Sequence, residues 1–386
     1  MVHQRITQVL FAATALLWAS LPSTLYADPL PVPSAPQLAA RSYVLMDATT
    51  GKILAESKGD TREQPASLTK LMNAYIDFRE LKAGRIHLTD EVTISKKAWQ
   101  TGGSRTFVQV GTQVPVEDLI QGMVVQSGND ASVALAQYVA GSTSAFVQLM
   151  NQAAQQLGMK NTHFADVDGL PKPDHYSTAH DLAILTRALI LDFPEYYHYF
   201  KEGHYTFNHI TQYNRNRLLW RDPSVDGLKT GHTEEAGYCL IASAKRGDMR
   251  LISVVMGADS DNGRVTQSQA LLDYGFRFYE TRTLYKAGQP ITEARVWKGA
   301  VHRVPLGVSQ DLSVTFPRGQ SQSLKPVMDV DKAMVAPVTK GQTYGQVNVS
   351  LGKTLLAQEP LIALHSVAEG SLWQRLKDDV RMRFHD

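Results

Sequence analysis

The chain has 386 residues, 43% of them hydrophobic, with 39 basic and 37 acidic side chains. That length can bury a sizeable core and suggests two domains or more, while a net charge of +2 leaves no electrostatic footprint for nucleic acid. The single cysteine, Cys239, excludes an internal disulfide, so folding rests on core burial. In its strand-like setting Cys239 reads as a small buried filler.

The first 27 residues differ from the rest. Arg5 gives a basic start, Val9 to Leu21 is a 13-residue apolar run, and Ala27 offers a small residue for cleavage. This pattern is that of a secretory signal peptide over residues 1–27, too short to span a bilayer comfortably, and Leu25 leaves the exact cut open. The expectation is an exported chain whose mature, proline-rich start runs from Asp28 to about Pro36.

Tyr43 to Asp47 and Lys52 to Ala55 then read as a β-hairpin. Pro65 stops any earlier helix, and Leu68, Leu71, Met72 and Tyr75 recur at helical spacing, so a helix is predicted from Ser67 to near Gly84. The mixed stretch from Val92 to Val110 is either a surface loop or a mobile flap. Leu119 to Val125 and Ala131 to Val139 are predicted helices flanking Ser127-Gly128-Asn129. Further helices are predicted at Ala145 to Leu157 and Thr178 to Leu191, where Thr178 and Asp181 have capping-box spacing. Strands follow at Tyr238 to Ala244 and Leu251 to Met256, with Lys229-Thr230-Gly231 just before them, then a helix from Val265 to Tyr279. An early hairpin, central helices and a late hairpin predict one antiparallel sheet closed by the two ends of an α+β domain over residues 28–284.

From about Tyr285, short strand-like runs at Glu293 to Trp297, Leu312 to Phe316, Val327 to Val330, Gln346 to Leu351 and Pro360 to Leu364 predict a small all-β domain over residues 285–367. In the last segment, 368–386, Leu372, Trp373, Leu376, Val380 and Phe384 recur at helical spacing, with Arg375, Lys377, Arg381 and Arg383 on much of the other face. Such a basic amphipathic helix either packs on the β-domain or lies in an anionic membrane surface; the exported address favours the membrane.

Ser67 and Lys70 stand three residues apart, which stacks a hydroxyl and an amine on one helix face. A serine needs a nearby base, and a desolvated lysine can serve. Alone, this pattern is weak. Ser127-Gly128-Asn129 lies 60 residues downstream of Ser67 and Lys229-Thr230-Gly231 lies 162 downstream, giving the ordered motif set of penicillin-binding proteins and class A β-lactamases. Glycine at 231 would let a substrate backbone approach the strand.

With these motifs, and with Gln126-Ser127-Gly128-Asn129-Asp130-Ala131, Asn214-Arg215-Asn216 and Val225 to Thr233 around them, the chain resembles the low-molecular-mass penicillin-binding proteins of the serine D-alanyl-D-alanine carboxypeptidase type. The resemblance spans nearly the whole chain and implies a β-lactamase-like transpeptidase domain. It implies acyl transfer on a peptidoglycan stem peptide ending in D-Ala-D-Ala, and acylation by β-lactams. Ser67 would be the nucleophile and Lys70 its base; Ser127 and Lys229 would relay a proton to the leaving amine, and Asn129 would hold the acyl side chain. Backbone N–H groups of Ser67 and His232 would form the oxyanion hole. Lys229, Thr230, Gly231, Arg215 and Arg264 are candidate substrate-binding residues. Thr230 with Arg215 is the candidate for the terminal carboxylate, Arg264 suits a structural ion pair equally well, and His232 serves as well to shape the motif loop.

A class A β-lactamase needs a deacylating glutamate, and no Glu-x-x-Leu-Asn lies between Ser127 and Lys229. D,D-endopeptidase action would use the same site, and a non-catalytic wall-binding protein is the remaining alternative. No metal or cofactor is expected, since the 12 histidines are scattered and no His-Glu-x-x-His occurs. The resemblance also implies a periplasmic protein attached peripherally to the outer face of the cytoplasmic membrane.

Overall fold

The computed structural model describes residues 32–331 and 333–382. The signal-peptide segment and the tail residues Arg383 and Phe384 lie outside them.

β1 (Ser42–Asp47) and β2 (Ile53–Ser57) form the expected hairpin, and a 3-10 turn over Ala66–Thr69 feeds α1 (Lys70–Lys82). The predicted α-helical start at Ser67 is thus a tighter turn. β3 (Glu91–Thr93), α2 (Lys96–Gln100) and β4 (Gln113–Pro115) lead to α3 (Val116–Val125), α4 (Asn129–Ala140), α5 (Thr143–Leu157) and α6 (Ala179–Asp192). A second hairpin, β5 (His204–Phe207) with β6 (Ile210–Tyr213), and the short α7 (Leu218–Arg221) precede β7 (Val225–Thr233), β8 (Gly237–Arg246), β9 (Met249–Ala258) and α8 (Asp261–Phe278).

The central sheet runs in the order β2-β1-β9-β8-β7, all antiparallel. Both ends of the domain therefore build it, as the pattern of hairpins predicts. β9 occupies the centre, and its residues from Leu251 to Ala258 are all buried, because helices cover the sheet. Helix boundaries follow local chemistry: the Ser142 hydroxyl caps α5 by accepting from Ala145 N, and Gly158 ends it at φ +79°. Thr178 caps α6 by accepting from Asp181 N. The Asp181 carboxylate does not close the capping box; it accepts from Asn161 N and Thr162 Oγ1 instead.

β10 (Tyr279–Tyr285), β11 (Thr292–Trp297), β12 (Arg303–Gly307), β13 (Leu312–Pro317), β14 (Leu324–Val330), β15 (Met334–Val335), β16 (Thr343–Leu351) and β17 (Thr354–Ala363) follow. β10 pairs with β13, and the other six form a sheet in the order β14-β16-β17-β12-β11-β15. Their apolar faces share a core around Phe316, Val347, Val349 and Leu361. α9 (Leu372–Met382) closes the described chain. No helix among the described residues is long and apolar enough to cross a membrane.

Candidate active site

The 3-10 turn sets the central contact. Residues three apart eclipse in such a turn, and Lys70 Nζ donates to Ser67 Oγ at 2.9 Å and to the Asp168 carbonyl oxygen at 2.6 Å. Lys70 is 1% exposed. Burial lowers its pKa to about 8, against the opposing pull of Asp168 and Asp166. The neutral amine beside Ser67 is therefore far more accessible near neutral pH than that of a solvated lysine.

The turn is locked from a distant loop. Ala66 takes φ +47°, a conformation that costs a non-glycine residue about 1–3 kcal/mol and so needs support. The Thr69 hydroxyl donates to Ala66 O, and His175 Nε2 bonds Thr69 Oγ1 at 2.8 Å. Because Ala165 N donates to His175 Nδ1, the ring proton sits on Nε2 and points at Thr69. Burial lowers the His175 pKa to about 4, which keeps the ring neutral. Gly169, at φ +85°, packs so closely that a Cβ there would lie 1.9 Å from Ala66 O. The signal for this support was the Asp166-Val167-Asp168-Gly169 turn in the long segment between α5 and α6. Asp168, Gly169 and His175 were missed because Asp168 acts through a backbone carbonyl, and any residue type carries one.

Ser127 and Asn129 enter from the α3–α4 junction. Ser127 is 2% exposed at φ +69°, and its hydroxyl has no partner among the described residues. Asn129 is the first residue of α4; its side chain donates to Gly102 O at 2.7 Å, and its backbone N donates to Ser104 O. The next residue, Asp130, accepts from the backbone N–H groups of Thr106, Phe107 and Val108. The stretch read as either loop or flap is therefore fastened to the Ser-x-Asn motif.

Lys229, Thr230 and Gly231 lie within β7, the outer strand of the sheet, and not ahead of the strands as predicted. Lys229 is 3% exposed and donates to Thr230 O at 3.2 Å. Burial, then the nearby Lys70, Arg215 and Arg264 charges, hold its pKa well below the usual lysine range. A Cβ on Gly231 would stand 3.0 Å from Pro65 O. The backbone that glycine admits is thus the chain's own turn ahead of Ser67.

Arg215 belongs to a hollow it shares with Arg217, His232, Tyr238, Asp261 and Arg264. Desolvation and then the Arg264 charge lower its pKa, and no hydrogen bond or ion pair engages it among the described residues, so its guanidinium is available to an anion. Arg264 is occupied otherwise: it is buried, donates to Gly231 O and Cys239 O, and pairs with Asp261. It braces β7 and β8 from inside, the arrangement expected of the structural ion pair that was the alternative to a substrate contact. His232 packs at a tilt against Tyr238 with ring centroids 4.1 Å apart, and Cys239 is a buried filler as expected. No group of three or more metal-ligating side chains occurs among the described residues.

These features match one family. A model described as D-alanyl-D-alanine carboxypeptidase matches residues 31–260, and one described as penicillin-binding protein 5, C-terminal domain, matches residues 279–369. The chain belongs to the D-alanyl-D-alanine carboxypeptidase family. It is 47% identical to D-alanyl-D-alanine carboxypeptidase DacC of Escherichia coli, over 99% of this chain and 97% of that one. Penicillin binding protein 5 from Haemophilus influenzae superposes with a TM-score of 0.82 at 44% identity, covering 87% of this chain and 99% of that one. A mutant of a Streptomyces DD-transpeptidase matches at 30% identity and TM-score 0.59, with 63% of this chain against 99% of that one. The expected α+β fold and the activity class, a serine carboxypeptidase of the cell wall, stand with this membership.

Proposed function

We propose that Ser67 attacks the penultimate D-alanine carbonyl of a peptidoglycan stem peptide ending in D-Ala-D-Ala, with neutral Lys70 taking the serine proton. The 2.9 Å contact between Lys70 Nζ and Ser67 Oγ, with the lysine pKa lowered to about 8, carries this reading. Backbone N–H groups of Ser67 and His232 bind the developing oxyanion, a contribution of roughly 3–4 kcal/mol for one such donor elsewhere. Ser127 and Lys229 pass a proton to the leaving amine; the unpartnered Ser127 hydroxyl is suited to that relay. Asn129 holds the acyl side chain, and Arg215 with Thr230 takes the terminal carboxylate. Water then hydrolyses the ester on Ser67, releasing the shortened peptide. A β-lactam enters the same sequence and acylates Ser67.

The same reading places the protein in the periplasm after removal of residues 1–27, attached to the outer face of the cytoplasmic membrane by α9. In support, Leu372, Trp373, Leu376 and Val380 are between 57% and 83% exposed, while Asp378 accepts from Lys298 N and Asp379 pairs with Lys298 on the other side. The acidic side of the helix is tied to the β-domain and the apolar stripe faces outward.

The test is D-alanine release from diacetyl-Lys-D-Ala-D-Ala by the protein and its Ser67→Ala variant, with labelled penicillin in parallel. Release and labelling should both vanish in the variant. Labelling without release would favour endopeptidase action or a binding role, and absence of labelling would sink the assignment.

A further inference from the structure

A groove of about 640 Å³ runs beside the site, between α2, α5 and the segment from His163 to Lys172. None of the proposed catalytic residues lines it, but it reaches the partners of two of them. Its wall includes Asp168, whose carbonyl holds Lys70, and Thr101, which adjoins the Gly102 carbonyl that holds Asn129. A groove that begins beside the Gly102 carbonyl held by Asn129 lies on the acyl side of the scissile bond in the proposed mechanism, where residues upstream of D-Ala-D-Ala run.

Its lining fits a peptide. Val147 and Leu170 give an aliphatic surface and Gln148 an exposed amide for a peptide backbone, while the Asn151 amide is held by Val147 O, Phe164 O and Phe164 N. Its phenylalanine, Phe164, is fully buried, and no exposed Trp, Tyr or Phe lines it, so it has no stacking platform for a sugar. Its two lysines are unequal. Lys172 is answered by Asp166 at 3.4 Å, whereas Lys97 donates only to the Thr143 hydroxyl, at 2.5 Å, with no carboxylate partner among the described residues.

We infer that this groove binds the part of the stem peptide upstream of D-Ala-D-Ala and that Lys97 pairs with a free carboxylate there. Lys97 is then a specificity residue that touches neither the nucleophile nor the scissile bond. The inference rests on the carboxypeptidase reading above, and its test separates the two.

Three substrates are compared: diacetyl-Lys-D-Ala-D-Ala, L-Ala-γ-D-Glu-L-Lys-D-Ala-D-Ala with its free glutamate α-carboxylate, and the same pentapeptide with that carboxylate amidated. Lys97→Gln should lower kcat/KM for the acidic pentapeptide by roughly three- to tenfold, as an exposed to half-desolvated charge pair allows. The loss should appear in KM, should be absent for the other two substrates, and should be restored by Lys97→Arg. Gln148→Trp, an exposed α5 position that fills the groove, should weaken both pentapeptides and spare the short substrate. An equal effect of Lys97→Gln on acidic and amidated pentapeptides, or none, would overturn the pairing. No effect of Gln148→Trp on either pentapeptide would overturn the groove as the peptide's path. If only a pentapeptide carrying its disaccharide responded to the groove variants, the occupant would be sugar and the inference wrong. Failure of the unmodified protein to cleave even the short substrate would remove the carboxypeptidase reading, and this inference with it.

Discussion

Lys70 and Asp77 lie seven residues apart on one stripe of α1, and both are shut away from solvent, yet the protein treats them oppositely. Lys70 has two acceptors, Ser67 Oγ and Asp168 O, and its pKa is brought down to about 8. Asp77 is fully buried with neither carboxylate oxygen bonded among the described residues, and burial, then the neighbouring Glu80, hold its pKa well above the usual carboxylate range. A buried ionisable group without partners favours its neutral form, at a cost to stability. In the proposed mechanism that same desolvation is turned to use at the mouth of the helix, because a neutral amine beside a serine is a base. Two turns further in, it yields no chemistry.

Removing the useful member of the pair should have the largest effect. Lys70→Ala should slow acylation by labelled penicillin on the order of 10²–10⁴-fold, the range of general-base catalysis. Lys70→Arg should not rescue it, since a guanidinium stays protonated; near-normal labelling in either variant would remove lysine as the base. The pH profile sharpens the point. Burial disfavours the ammonium form, so the fraction of neutral Lys70 rises with pH and levels off above about 8. The acylation rate should climb about tenfold per unit below that pH, and a flat profile between pH 6 and 8 would contradict the assignment.

The support of Lys70 can be broken without touching it. Gly169→Ala sets a methyl group against Ala66 O and forces alanine to a positive φ. Thermal unfolding should show a loss of at least about 2 kcal/mol. The acylation rate should fall roughly tenfold or more, because the Asp168 carbonyl and the Ser67 turn shift together. Full activity in a destabilised variant would mean that this loop serves stability alone.

How much of this was legible beforehand depended on what carries each contact. Ser67, Lys70, Ser127, Asn129 and Lys229 were legible because they are side chains in short motifs; the structure puts Lys70 Nζ on Ser67 Oγ and the Lys70 charge close enough to act on Lys229. The tight turn at Ser67 was not legible, because its causes, His175 and Gly169, lie about a hundred residues away and act by contact. In the β-domain, the runs read as strands correspond to β11, β13, β14, β16 and β17. β12 was missed because Pro305 interrupts its apolar alternation, although that proline is tolerated opposite Glu293. Arg264 stayed open between a substrate contact and a structural ion pair for a similar reason: a sequence shows a charge but not that Gly231 O, Cys239 O and Asp261 engage it.

The idle member of the pair gives the smallest effect and the cleanest sign. In the folded chain Asp77 holds its proton to higher pH than in the unfolded chain, where an aspartate ionises near pH 4. Between those two pKa values the folded state binds more protons, so stability contributed at low pH is lost as pH rises through the window. Asp77→Asn removes that titration while keeping shape and polarity. The variant should match the parent near pH 3 and exceed it by about 1–3 kcal/mol at neutral pH, by denaturant unfolding, with acylation by penicillin unchanged. A variant less stable at neutral pH would mean that the Asp77 carboxyl donates a hydrogen bond that holds α1 in place. Unchanged acylation matters as much as the gain: it would show that desolvation on α1 has a function only where Ser67 and Asp168 O give the buried charge its partners.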